Sequence, residues 1–210
     1  MKTIHVILYK VLIVFIVISS CTKKEELAKN RFDLSDKVLQ TEEVKAVAEK
    51  INDIIVKAKS EVMPLSKIER EYENALSVLV DNGKVLYKEI IDYIELNDEV
   101  QLTDDEINQL SNINDQHLVE LSLIMSFVFS ENVNDEQVMK NFEGWDVDRA
   151  IGCIGVALGI NEIAGLISNT SQLTTIHGTT QLLKTIGRRY LGWVGVAVGV
   201  YSFGRCLDAW

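Results

Sequence analysis

The sequence predicts an all-α protein, and three observations carry that expectation. Apolar residues from Val44 to Val128 recur at three- and four-residue steps, the spacing that draws one stripe along a helix. A hydroxyl residue followed three positions later by glutamate, the pattern of a capping box, occurs at Ser66-Lys67-Ile68-Glu69 and at Thr103-Asp104-Asp105-Glu106. Nothing in this region alternates apolar and polar for long enough to suggest a sheet.

The chain opens on Met1-Lys2-Thr3, then runs apolar from Val6 to Ile18, broken only by Tyr9 and Lys10, and reaches Ser19-Ser20-Cys21. A basic start, an apolar core and small residues before a cut site describe a secretory leader. Only eight apolar residues, Val11 to Ile18, run unbroken, and a spanning helix needs roughly 20. Ile18-Ser19-Ser20-Cys21 resembles the lipobox of bacterial lipoproteins. That resemblance implies removal of residues 1–20 and acylation of Cys21, which makes a membrane the first expected partner. Thr22 replaces the aspartate that retains lipoproteins of that family in the inner membrane, so the outer membrane is the implied address. Lys24-Glu25-Glu26 resembles the surface-export signal of some Gram-negative lipoproteins, which leaves the periplasmic face and the cell surface both open. Residues 21–34 are read as a flexible tether.

Residues 35–148 are expected to form acidic amphipathic helices. Val44, Val47, Ala48, Ile51, Ile54, Ile55, Ala58 and Val62 make one stripe, and Pro64 stops that helix because proline breaks the hydrogen-bond ladder. Ile68, Tyr72, Ala75, Leu76 and Leu79 share a face of a second helix. Asp81-Asn82-Gly83 interrupts it, since Asn-Gly favours a turn, and Leu86, Ile90, Ile91 and Ile94 resume the pattern. The Thr103 box opens a single helix through Ile107, Leu110, Ile113, Leu118, Leu121, Ile124, Met125 and Val128, its acidic start facing the positive end of the helix dipole. Asn134-Asp135-Glu136-Gln137 opens a short fourth helix.

Residues 149–210 are of a different kind. Ten of the chain's twelve glycines lie between Gly152 and Gly204. The runs 151–167 and 190–206 are apolar nearly all round, as buried helices are, and predict a glycine-rich helical hairpin packed on the acidic helices as one domain. Glycine costs a helix about 1 kcal/mol relative to alanine, so close packing is the expected reason for it. Gly152, Gly155 and Gly159 repeat the spacing of Gly192, Gly195 and Gly199, and each set holds a GxxxG pair that lets backbones approach. With Cys21 acylated, Cys153 and Cys206 remain as a pair in an oxidising compartment, where a disulfide is expected. Such a bridge would stabilise the fold by roughly 4 kcal/mol. The competing assignment is a catalytic thiol with His177 as base; no local signature supports it. Glu162, toward the glycine face of the first run, is the candidate buried charge. Arg188-Arg189 stand as partners for Glu162, for Asp208 or for phospholipid head groups.

The 210 residues carry 21 basic and 31 acidic side chains, a net charge of −10, with 47% hydrophobic residues. That is too apolar for a disordered chain and too acidic for a nucleic-acid binder. The total averages two parts. Residues 21–148 hold 14 bases and 29 acids, a net −15, whereas 149–210 hold five bases and two acids, a net +3. No nucleophile elbow, phosphate loop, dinucleotide fingerprint or zinc-ligand spacing occurs. His117 is isolated on a helix and is read as structural or surface, the carboxylates as solvent faces and helix starts. No cofactor or metal is implied. The expected function is therefore a lipid-anchored, non-enzymatic envelope protein with a binding or structural role. The alternative is the precursor of a secreted antimicrobial or membrane-active effector, because the tail loosely resembles the apolar core peptides of bacteriocins.

Overall fold

The computed structural model describes residues 32–96, 101–131, 155, 173–189 and 191–206. The chain divides into two units, residues 1–32 and 33–210, and the second holds every described helix. These are α1 (Thr41–Ser60), α2 (Leu65–Leu96), α3 (Asp104–Ser111), α4 (Asp115–Glu131), α5 (Ile176–Gly187) and α6 (Trp193–Cys206). Among the described residues there is no strand. The all-α expectation holds.

The stripe of α1 buries Val44, Val47, Ala48 and Ile51, then runs out of the core: Ile54, Ile55 and Ala58 are half-buried and Val62, past the helix end, is exposed. The Pro64 carbonyl accepts the amides of Lys67 and Ile68. Helix α2 thus begins at Leu65, and Ser66 lies inside it rather than capping it.

Two expected boundaries move. First, Asp81-Asn82-Gly83 does not interrupt α2, which runs 32 residues through it. Gly83 is where α4 crosses: a Cβ there would lie 2.7 Å from the carbonyl carbon of Leu118 and 2.8 Å from its Cβ. Asn82 beside it donates through Nδ2 to the Lys37 carbonyl (2.6 Å) and accepts from the Ser122 hydroxyl (2.8 Å). The Ser126 hydroxyl of α4 accepts the Leu39 amide (3.2 Å). The Asn-Gly pair has the composition of a turn because both residues are small or polar, and here those same properties serve a close crossing and a side-chain knot.

Second, the single helix expected after Thr103 is two. Helix α3 ends at Ser111, and Asn114 starts α4: its Oδ1 accepts the His117 amide (3.2 Å) while its own amide donates to His117 Nδ1 (3.1 Å). This is a reciprocal box with histidine in the place usually held by glutamate or glutamine. The Thr103 box itself is present, with the Glu106 amide on Thr103 Oγ1 and the Thr103 amide on Glu106 Oε2 (2.8 Å).

Helix α4 is the centre of the body. Every side chain from His117 to Phe129 is buried, because α1, α2, α5 and α6 all pack on it. Phe127 meets Phe203 of α6 edge to face, with ring centroids 6.3 Å apart and planes at 86°. Helix α5 lies between the two glycine-rich runs, in a segment rich in threonine and serine. Its threonines bond to local backbone: Thr175 Oγ1 caps the Gly178 amide (3.2 Å), the Thr179 hydroxyl lies 2.8 Å from the Leu173 carbonyl and 3.0 Å from the Thr175 carbonyl, and Thr180 donates to the Ile176 carbonyl (2.7 Å).

Candidate functional site

Two charged clusters fasten α5 and the link after it to the acidic helices. The first begins at the start of α4. With Nδ1 occupied by the Asn114 amide, His117 carries its proton on Nε2, which donates to the Arg189 carbonyl at 2.6 Å. Glu120 lies one turn further on the same face and is 1% exposed. Its Oε1 accepts Arg189 Nη1 at 3.1 Å, while Oε2 is buried without a hydrogen-bond partner. Arg189 is therefore gripped twice, by its backbone and by its guanidinium, at the point where the chain leaves α5 for α6. Burial pushes the Glu120 carboxyl up to about 7, and the Arg189 charge, which pulls the other way, does not prevail. Both ring nitrogens of His117 are engaged, so it offers no lone pair to a metal or a substrate proton.

The second cluster lines a cleft of about 300 Å³ between the start of α3 and α5. Lys184, almost fully buried, reaches Glu106 Oε1 at 2.6 Å. The Lys184 ammonium and then the Thr103 amide and hydroxyl hold the Glu106 carboxyl down at about 2. Gln101, Gln181 and the exposed His177 complete the polar wall. Thr180 also lines the cleft, but its hydroxyl is spent on the Ile176 carbonyl. Among the described residues no group of three histidines, cysteines, aspartates or glutamates is placed to hold a metal. The cleft presents amides, one imidazole and the Lys184–Glu106 ion pair.

Thr103 supports both the helix and the ion pair. Thr103→Ala is expected to lower unfolding free energy by about 1 kcal/mol, the usual worth of a threonine cap. Denaturant unfolding reads this directly; an unchanged midpoint would mean that the box does not hold α3.

Of the residues singled out in the sequence, Cys21, Gly152, Cys153, Gly159 and Glu162 lie outside the described residues. Gly155 is buried in helical backbone. Cys206 is the last residue of α6, and its side chain too lies outside what is described. Gly192 precedes α6, where its carbonyl accepts the Val196 amide; it is exposed, and a Cβ there would meet nothing within 4 Å among the described residues. At Gly195, also exposed, a Cβ would touch Leu191 of its own segment. Gly199 is buried. Among the described residues, Gly83 and Gly187 lie against neighbouring helices, a Cβ on Gly187 falling 3.3 Å from the Gln109 carbonyl oxygen of α3; the run expected to pack on Gly192, Gly195 and Gly199 lies, apart from Gly155, outside the described residues. His117 is structural rather than surface, and His177 is exposed. Arg189 pairs with Glu120; Glu162 and Asp208, the partners the sequence suggests, lie outside the described residues, and Arg188 is exposed.

Glu120 escaped the sequence reading, which placed the carboxylates on solvent faces. A signal was available: it is the one acid in Leu118–Phe129, a run otherwise apolar apart from two serines, and apolar residues all round mark a buried helix.

No protein-family model matches the chain, and no curated protein or solved structure matches it either.

Proposed function

We propose that this is a lipid-anchored envelope protein, acylated at Cys21 and held at the outer membrane. Its helical body has a binding or structural role, and its glycine-rich end is part of that body. The observation that carries the second half is the seating of α6. Val196, Ala197, Val200 and Phe203 are buried, and the helix packs on α1, α2 and α4. Burying two valines and a phenylalanine contributes roughly 5–9 kcal/mol, comparable with the whole stability of a domain, about 5–15 kcal/mol. A segment so embedded leaves the body only by unfolding it. Among the described residues no helix is long and apolar enough to cross a membrane. The anchor rests on the lipobox resemblance of Ile18-Ser19-Ser20-Cys21.

Two measurements test the halves separately. Mass spectrometry of the protein from its native membrane is expected to find an acylated Cys21 at the N-terminus, and an uncleaved, unmodified start refutes the anchor. In a liposome dye-leakage assay, the 149–210 fragment and the intact mature chain are both expected to be inert. Leakage caused by the fragment alone would instead favour the membrane-active effector.

A further inference from the structure

The corner between α1 and α2 is apolar where it meets solvent. Val56 is 57% exposed, Leu65 62% and Val62 fully so; Pro64 between them is exposed as well. The corner is not loose chain. The Glu61 amide closes α1 on the Lys57 carbonyl and the Met63 amide returns to the Glu61 carbonyl, both at 2.9 Å. Helices of 20 and 32 residues brace it from behind.

Its charge is the reverse of its surroundings. Residues 57–70 hold four bases (Lys57, Lys59, Lys67, Arg70) and two acids (Glu61, Glu69), a net +2, whereas residues 71–131 hold two bases and 14 acids, a net −12. All four cations are exposed, and of them Lys57 is bridged to Glu71 at 3.6 Å. A rigid apolar point ringed by cations, on a body whose remainder is anionic in net charge, matches an interface with hydrocarbon beneath a layer of negative charge. The acidic remainder is repelled by such a layer, which turns the corner toward it.

We propose that the α1–α2 corner is a membrane-contact tip that seats Val62 and Leu65 among the head groups of an anionic bilayer, with Lys59, Lys67 and Arg70 at the lipid phosphates. The tip is independent of acylation at Cys21. It is tested on the chain from Thr22 onward, which keeps every described residue and lacks the anchor, so either proposal can fail while the other stands.

The test is sedimentation with vesicles of phosphatidylcholine alone and of phosphatidylcholine mixed with phosphatidylglycerol. Binding to the mixed vesicles is expected to be at least about tenfold tighter than to the neutral ones and to weaken as salt is added. Val62→Asp/Leu65→Asp and Lys59→Glu/Lys67→Glu are each expected to lower that binding about tenfold or more. All four positions are exposed, so thermal unfolding of these variants should match the parent; the single Val62→Ser at the fully exposed position serves as a milder variant, with a smaller loss in the same direction. Absence of binding to the mixed vesicles overturns the proposal, as does binding that the tip variants leave unchanged. So does a lipid-free dimer that Val62→Asp/Leu65→Asp dissociates, since the corner would then be a contact between copies of the chain.

Discussion

Gly83→Ala is expected to destabilise the protein by about 3 kcal/mol, near the upper end of the usual cost of overpacking. Alanine elsewhere in a helix gains about 1 kcal/mol over glycine, so the sign alone is informative. The added methyl at position 83 would collide with the Leu118 carbonyl group and Cβ. Those are backbone or backbone-attached atoms of the central helix, with no rotamer through which to move aside. Relief requires α2 and α4 to separate along the most extensive helix–helix contact among the described residues, thinning the packing around Leu79, Leu86 and Leu121, all fully buried. Thermal unfolding of the variant should fall by roughly 6–12 °C for a body of this size. Gly195→Ala is the matched control. Its methyl meets Leu191 Cδ2 at 3.4 Å, an ordinary contact, and its melting point should stay level or rise. If Gly83→Ala were the neutral one, α2 and α4 would not cross where they are placed.

The second large effect is a dependence of stability on pH that runs opposite to that of a paired surface carboxylate. Glu120 titrates near 4.5 when unfolded and near 7 when folded, because burial outweighs its contact with Arg189. Between those values the folded state holds the extra proton, so stability declines as pH rises from 4.5 to 7, by about 3 kcal/mol for a shift of this size. Below 4.5 the direction reverses. Folded Glu106 holds its charge down to about 2, and the stability that its ionised form contributes is lost as pH falls from 4.5 toward 2. Stability is therefore expected to crest near pH 4.5. Glu120→Gln should match the parent at pH 4.5 and exceed it at pH 8 by about 2–3 kcal/mol, having removed the upper slope. Glu106→Gln should remove the lower slope and leave the upper one. Arg189→Met should be more destabilising at pH 8 than at pH 5, since it strands an ionised Glu120. Denaturant unfolding across pH reads all of these. A stability that rises between pH 4.5 and 7 would mean that Glu120 is ionised and satisfied in the folded protein.

The helices were legible because period and burial agree wherever a helix has one wet face. Val44, Val47 and Ile51 on α1, and Tyr72, Leu76 and Leu79 on α2, are buried as their spacing demands. The Thr103 cap was legible because its two partners are three residues apart and need nothing else. What was not legible depends on partners distant in the chain. Whether Asn82-Gly83 turns or continues is settled by α4, nearly forty residues on, which offers Asn82 a hydroxyl and Gly83 a crossing helix. Whether Glu120 is wet or dry is settled by Arg189, 69 residues away. The break at 112–114 was hidden by an apolar pattern that continues through Ile113, and its cap by a histidine in an unexpected role. Helix α5 was hidden by threonines whose hydroxyls bond back to the preceding turn instead of competing with it.

The central claim is that α6, at the glycine-rich end, is core to one cooperative helical body. Native-state hydrogen exchange on the chain from Thr22 onward tests it most directly. Amides from Val196 to Phe203 are expected to exchange only through global unfolding, with the same free energy as those of Leu86–Ile90 in α2 and Leu121–Met125 in α4. Exchange of the α6 amides at much lower free energy, with α2 and α4 still protected, would mean that the tail detaches while the body stays folded, and would contradict the claim.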